Sequence, residues 1–532
     1  MDTKRKRVTR MASAKQTRIA TAQLVISLAL TLSLLIALFG CSPGAVGSGA
    51  TPPAADYNST GSTSSPGSIG MYYDDFYFDY TGGEQYLEIE ELGEQLVADK
   101  PEATFSLKVD TASYSNVKRF IENGQLPPKD AVRTEELINW FSFDEPLEFA
   151  EDSPFAFYTE VGPSPFDDEK YLAMVRVGTR EIDRKDLPRS NLVFLIDVSG
   201  SMNSYDKLPL LQKSLTMLVE TLENGDTVSI VTYASGTRVA LSGASGSDTR
   251  KINSTINSLE AGGSTNGQGG IQLAYELAEE FFIEDGNNRV ILATDGDFNV
   301  GISDTKELSR FISDKRETGV YLSVLGFGMG NIRDDIMETL AKDGNGNYSY
   351  IDSSKTAEKV LVNELGANLF TVADDVKAQL VFNSETVLCY RLIGYENRML
   401  QTEDFDDDRV DAGEIGAGTD IVALFEFTPV EGETTEGSHL FDVKVRYKDP
   451  GQSKSQLVEF PVALERLSRG NSSDFGFVSA VALFGDYLRN EGSGENATLR
   501  AISDLAEENL GSDRDGYRKD FVDLLYQTRN AW

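Results

Sequence analysis

The chain has 532 residues and a formal charge of −36, with 85 acidic against 49 basic side chains. That length exceeds one ordinary core and sets an expectation of two to four domains. So acidic a balance excludes the clustered Lys and Arg that phosphate contacts need, and with them nucleic-acid binding; a single histidine, His439, excludes a HExxH zinc site, and a Ser-His-Asp triad would have to run through it in a sequence that has no nucleophile elbow.

Residues 1–40 open on Lys4, Arg5, Lys6, Arg7 and Arg10, and 19–39 follow as IATAQLVISLALTLSLLIALF without a charge. Basic, then apolar, then small is the order of a secretory signal peptide, and an uncleaved anchor of that length would also reach across a bilayer. Either reading puts the bulk of the chain outside the cytoplasm, in the cell envelope, and an uncleaved anchor or a lipid on Cys41 would tether it to a membrane. Without its basic leader the remainder carries about −42, which is the charge of a well-solvated surface. The run LFGC, ending at Cys41, resembles a bacterial lipoprotein signal, in which cleavage precedes a cysteine that takes the lipid anchor. Lipidation of Cys41 would leave Cys389 without a partner, as a small buried strand residue rather than half of a disulfide.

Residues 41–70 are rich in Gly, Ser and Pro, as in a flexible tether. The module 71–150 begins with an acidic-aromatic patch, YYDDFYFDY at 72–80, which is a strand packing on the body or a docking motif. It continues with alternation up to Asp110 and then two helical stretches, the first stopped by Leu-Pro-Pro and the second supplied by AVRTEELINWF. Two strand-like runs, FAFYTEVG and KYLAMVRVGT, occupy the flanking segment 151–189.

Between 190 and 367, apolar runs of strand length (NLVFLI, TVSIVTYAS, RVILAT, YLSVLGFG) alternate with helical stretches. That rhythm predicts an α/β, doubly wound, mainly parallel sheet. Five oxygen-bearing side chains lie on three of its loops: Asp197, Ser199 and Ser201 in FLIDVSGSM, Thr265 in GGSTNG, and Asp295 in VILATDGD. Both aspartates follow buried-strand runs and so fall at the carboxyl ends of strands, where open α/β sheets bind ligands. Oxygen donors without thiol or imidazole select Mg²⁺, with Mn²⁺ or Ca²⁺ as alternatives. The glycines Gly326, Gly328 and Gly330 form GxGxG late in the domain, which suits a tight strand-to-helix turn better than a dinucleotide loop.

From 368 to 466 the period changes to two. VKAQLVFN, TVLCYRLIGY, IVALFEFTPV, LFDVKVRYKD and LVEFPVAL read as five strands of an antiparallel β-sandwich. The strands at 155–180 are expected to join it, so that the α/β domain is inserted into a β-domain. Asp404, Asp406, Asp408, Asp411 and Glu414 lack the Gly and Glu of an EF-hand loop, having Arg409 and Ile415 there, and read as a solvated loop. Three helical runs over 467–532 would cover one face.

The set Asp-x-Ser-x-Ser, Thr, Asp resembles the metal-ion-dependent adhesion site (MIDAS) of von Willebrand factor type A (VWA) domains. The words VDTASYSNVKRF, LPPKDAVRTEELINWF and YRLIGYENRML resemble modules of a bacterial VWA lipoprotein family, and the likeness extends over roughly residues 100 to 530. The resemblance implies metal-dependent capture of a protein ligand with an exposed acidic residue, and no enzymatic activity. An adaptor or assembly factor for an envelope complex is the alternative. A channel-associated protein would need more membrane segments, and a metallohydrolase would need a general base near the site, for which Asp297 is the obvious spare carboxylate.

Overall fold

The computed structural model describes residues 83–531, apart from 152, 265–268, 297–304, 466–469 and 491–497. The leader, Cys41, the tether and the acidic-aromatic patch lie outside the described residues.

Strands β1 (Gln95–Leu96) and β2 (Glu102–Ser106) precede helix α1 (Ala112–Glu122) and a short helix α2 (Thr134–Ile138), after which β3 (Phe155–Pro163) and β4 (Tyr171–Thr179) make an antiparallel pair. The helix expected over AVRTEELINWF is only five residues long. Arg133 and Glu136 turn inward there to bond each other, while Trp140 and Phe141 drop into the core beside Tyr114.

An α/β domain follows: β5 (Ser190–Asp197), α3 (Leu208–Val219), β6 (Thr227–Tyr233), β7 (Thr237–Ser245), α4 (Thr249–Asn257), α5 (Gly270–Glu280), β8 (Asn287–Thr294), α6 (Thr305–Arg316), β9 (Val320–Phe327), α7 (Asp334–Asp343) and β10 (Tyr348–Ile351). Its six strands are ordered β10-β9-β8-β5-β6-β7, all parallel except the edge strand β7. Alternation on β5 shows why the central strands read as unbroken apolar runs. Leu192, Phe194 and Ile196 enter the core on one face, Val193 and Leu195 the core on the other, and helices cover both. The GxGxG run is the turn from β9 to α7, with Gly328 and Gly330 at φ +75 and +93.

Two short helices, α8 (Ser354–Glu358) and α9 (Leu365–Leu369), return the chain to a sandwich made of β11 (Thr371–Phe382), β12 (Val387–Ile393), β13 (Gly413–Gly416), β14 (Asp420–Pro429), β15 (His439–Lys448) and β16 (Ser455–Ala463). One sheet is ordered β1-β12-β14-β4-β3 and the other β13-β11-β15-β16, with β2 also on β11. Strands from before and after the α/β domain therefore pair directly: β4 with β14, and β2 with β11. The α/β domain is thus inserted in the sandwich. The segment expected as a separate helical module also contributes β1 and β2, one to each sheet. Asp375, at φ 50, marks the irregularity where β11 changes partner from β13 to β2.

The C-terminal helices α10 (Ser473–Arg489), α11 (Leu499–Glu508) and α12 (Tyr517–Ala531) cover the β4/β14 sheet. Leu172, Met174, Val422 and Leu424 join the helical core, while Ala173, Val175, Ala423 and Phe425 between them face the sandwich interior. The α10 cap is Ser472, whose hydroxyl accepts from the Phe475 amide at 3.1 Å. Cys389 is buried on β12.

The acidic run after 404 holds its charges against cations. Asp406 pairs with Arg446, Asp407 with Arg409 and Asp411 with Arg316. Glu414 departs from the solvated-loop expectation: it is buried on β13, because the loop ends by pairing with β11. Among the described residues no helix is long and apolar enough to cross a membrane.

Candidate metal centre

β5 and β8 are adjacent and parallel, with Ile196 beside Ala293, so Asp197 and Asp295 emerge side by side at the carboxyl edge of the sheet. Both are fully buried. After Asp197 the chain turns sharply, the Ser199 amide donating back to Asp197 Oδ1 at 2.8 Å, and the Ser199 and Ser201 hydroxyls lie 2.9 Å apart. Ser199 precedes a short 3₁₀ turn but makes no side-chain cap bond to it. Helix capping therefore does not account for its hydroxyl.

The loop GGSTNG is pinned to the first by the backbone of its two glycines. The Gly262 amide donates to the Val198 carbonyl at 2.8 Å, and the Gly200 amide donates to the Gly263 carbonyl at 3.0 Å. Gly263 has φ +86, and a Cβ there would stand 2.3 Å from Ser235 Oγ, the atom that accepts the Ser264 amide. This close approach requires glycine. Thr265 itself lies outside the described residues, as does Asp297.

Burial pushes the Asp197 carboxyl up to about 6; its bonds from Ser199 oppose that shift and the charge of Asp295 adds to it. Two carboxylates buried together create a site that favours a cation. One is already present: Lys207 Nζ lies 2.8 Å from Asp295 Oδ2 and 3.3 Å from Asn331 Oδ1. Composition and spacing did not single out this lysine. Its signal is only that it is the basic residue nearest after the DxSxS run, at the start of α3.

The loop between β9 and α7 closes the site from the side. A Cβ on Gly296, at φ +96, would meet the Arg333 amide at 2.5 Å and the Asn331 carbonyl at 2.8 Å. The same loop is held by the first described residues: the Gln85 amide donates to the Ile332 carbonyl at 2.9 Å, and Glu84 accepts from the Gly330 amide at 2.8 Å and pairs with Arg119 at 2.7 Å.

Among the described residues no group of three or more His, Cys, Asp or Glu side chains converges as a metal cluster. The donors gathered here are two carboxylates and the Ser199 and Ser201 hydroxyls, all hard oxygen, which fits Mg²⁺, Mn²⁺ or Ca²⁺ and does not fit a thiophilic ion.

Family comparisons agree with this architecture in three consecutive parts. The family described as von Willebrand factor type A domain matches residues 191–363, one described as von Willebrand factor matches 80–174, and one described as the C-terminal part of uncharacterized protein YfbK matches 367–530. The chain is 44% identical over 467 residues to the uncharacterized protein YfbK of Escherichia coli (strain K12), covering 84% of this chain and 81% of that protein. It is 29% identical over 164 residues to inter-alpha-trypsin inhibitor heavy chain H4 of Homo sapiens, covering 29% of this chain and 17% of that one. Among solved structures, a von Willebrand factor type A protein from Catenulispora acidiphila aligns with a TM-score of 0.42 at 17% identity, covering 70% of this chain and 91% of that chain. The ArnB paralog VWA2 from Sulfolobus acidocaldarius aligns with a TM-score of 0.37 at 18% identity, covering 71% and 98%. The chain belongs to the YfbK family of bacterial proteins built around a von Willebrand factor type A domain.

Proposed function

We propose that this protein is tethered to a membrane of the cell envelope through Cys41 and captures a protein ligand through a divalent-metal-dependent adhesion site formed by Asp197, Ser199, Ser201, Thr265 and Asp295. The observation that carries this reading is the meeting of Asp197, Ser199 and Ser201 with Asp295 at one edge of the sheet. When bound, Mg²⁺, or Mn²⁺ or Ca²⁺ in its place, supplies an electrophilic centre that an acidic side chain of the ligand completes. The residues of the chain prepare for this in separable ways. The Ser199 amide holds Asp197 in place, the Ser199 and Ser201 hydroxyls offer neutral donors, and the Val198–Gly200 backbone anchors the loop that carries Thr265. Neutral hydroxyls add no charge beyond that of the two carboxylates, which leaves room in the ion's shell for an anionic donor from a partner.

The surroundings suit a protein surface. Tyr205 and Met329 are 82% and 40% exposed, although their near neighbours Lys207 and Gly328 pack together at the site. Exposed Tyr and Met beside a charged centre are typical of protein-binding surfaces.

The test is capture from envelope extracts by the full-length chain in detergent, with Mg²⁺ or with chelator, beside Asp295→Ala. Capture that needs both the ion and Asp295 supports the reading and identifies the ligand. A soluble extracellular ligand points to adhesion, and subunits of one envelope assembly point to the adaptor role. Equal capture under every condition would remove the metal site from the function.

A further inference from the structure

Lys207 places a positive charge where the site needs one, without any ion. Its ammonium is 2.8 Å from Asp295 Oδ2, and the two side chains are 8% and 0% exposed. A second bond, to Asn331 Oδ1 at 3.3 Å, fixes the ammonium from the loop that follows β9. The aliphatic stem is lodged as well. Gly328, at φ +75, lies so close that a Cβ there would be 2.2 to 2.7 Å from Cε, Cγ and Cδ of Lys207. The glycine therefore leaves the space that the lysine stem fills. This is a buried, specifically held ion pair and not a surface lysine near an acid by chance.

Such a pair affects binding of a second cation in two ways. A buried carboxylate already neutralised by an ammonium gains less from a divalent ion than an uncompensated one. An ammonium left in place repels that ion over a short distance in a poorly screened interior. We propose that Lys207 is a built-in counter-ion that competes with the divalent metal for Asp295 and thereby sets the metal affinity of the site, an inference that rests on the metal-site reading above. The same charge has a consequence for the ligand. With Asp197 and Asp295 ionised, a divalent ion alone leaves the site neutral, whereas Lys207 leaves the loaded site with one net positive charge. That favours an anionic group on the ligand over a neutral oxygen donor.

The test is Mn²⁺ titration of the full-length chain in detergent, with free Mn²⁺ read by electron paramagnetic resonance and the rise in thermal midpoint as a second readout. Lys207→Gln keeps a hydrogen-bond donor for Asp295 and removes the charge. Lys207→Arg keeps the charge and serves as a second, independent variant. The expected result is at least tenfold tighter Mn²⁺ binding by Lys207→Gln, with a larger thermal shift, and affinity near that of the wild type for Lys207→Arg. Equal or weaker binding by a folded Lys207→Gln would overturn the proposal and make Lys207 a positioning residue for Asp295. Asp197→Ala separates this failure from failure of the metal site. If Asp197→Ala abolishes Mn²⁺ binding while Lys207→Gln leaves it unchanged, only the role of Lys207 falls. If Asp197→Ala binds as the wild type does, or if the wild type and every variant all fail to bind, the metal-site reading falls with it. Binding by Lys207→Gln where the wild type shows none would support the competition directly.

Discussion

Arg133 Nη1 stands 2.7 Å from Asp334 Oδ2, joining the segment before the inserted domain to the first residue of α7 within it. Both side chains are 1% exposed. The pair belongs to a buried network in which Arg133 also holds Glu136 at 2.6 Å, and Arg398, from the sandwich, reaches Asp110 at 2.8 Å and Glu338 at 3.3 Å. Charges from three stretches of the chain thus fix the domain that carries the metal centre onto the rest of the body.

Breaking that network from one side leaves a charge buried without its partner. Arg133→Met is expected to lower unfolding stability by about 3–5 kcal/mol, the usual cost of removing one member of a buried ion pair. Urea denaturation followed by circular dichroism measures it. A loss below about 1 kcal/mol, the range of exposed pairs, would show that the network is solvated in solution.

Gly296 tests the packing beside Asp295. Alanine there must adopt φ +96 and place its Cβ 2.5 Å from one backbone atom and 2.8 Å from another, neither of which can move without the β9–α7 loop. Gly432 offers the comparison, since it has φ +83 but nothing within 4 Å of an added Cβ. Gly432→Ala should cost only the left-handed backbone penalty of roughly 1–2 kcal/mol, and Gly296→Ala clearly more. Equal losses in thermal melts would mean that the loop yields freely.

Burial pushes the Glu414 carboxyl up to about 7, against a usual 4.5, with Lys108 at 3.9 Å only partly opposing the shift. In the folded chain this group keeps its proton to higher pH than in the unfolded chain. Its contribution is therefore fully present below about pH 4.5 and declines as pH rises toward about 7. Glu414→Gln, which is neutral throughout, should remove that part of the slope. The urea midpoint of the wild type should fall steadily relative to that of the variant as pH rises across this window. A difference independent of pH would mean that Glu414 is ionised in the fold.

The sequence revealed most where burial is two-sided or chemistry is local. The apolar runs ending at Asp197 and Asp295 carried both the sheet and the metal-site expectation, because a strand buried on both faces has no polar residues to obscure it. The changing partners of β11 were not legible. Strand pairing between residues near 105 and near 378 depends on contacts far apart in the chain, and no local pattern encodes them. The edge strands β7 and β10 and the helix α4 likewise went unread, as short elements of four to nine residues. Glu414 was misjudged because its acidic neighbours made a strand resemble a loop. Lys207 was missed for a different reason: a lysine at a helix start is ordinary, and only the fold brings it to Asp295.

Thr265 is where the sequence reaches further than the described structure. The glycines before it, Gly262 and Gly263, are tied to Val198 and Gly200 by two backbone bonds, which join the described start of its loop to the turn that carries Ser199 and Ser201. If its hydroxyl is a metal donor, Thr265→Ala should weaken Mn²⁺ binding by about tenfold, equivalent to about 1.4 kcal/mol. Thr265→Ser should bind as the wild type does, and thermal midpoints in chelator should be the same for all three. Electron paramagnetic resonance of free Mn²⁺ and paired thermal melts measure both. Weakened binding by both variants would assign the loss to loop packing through the threonine methyl, and unchanged binding by Thr265→Ala would reduce the donor set to Asp197, Ser199, Ser201 and Asp295.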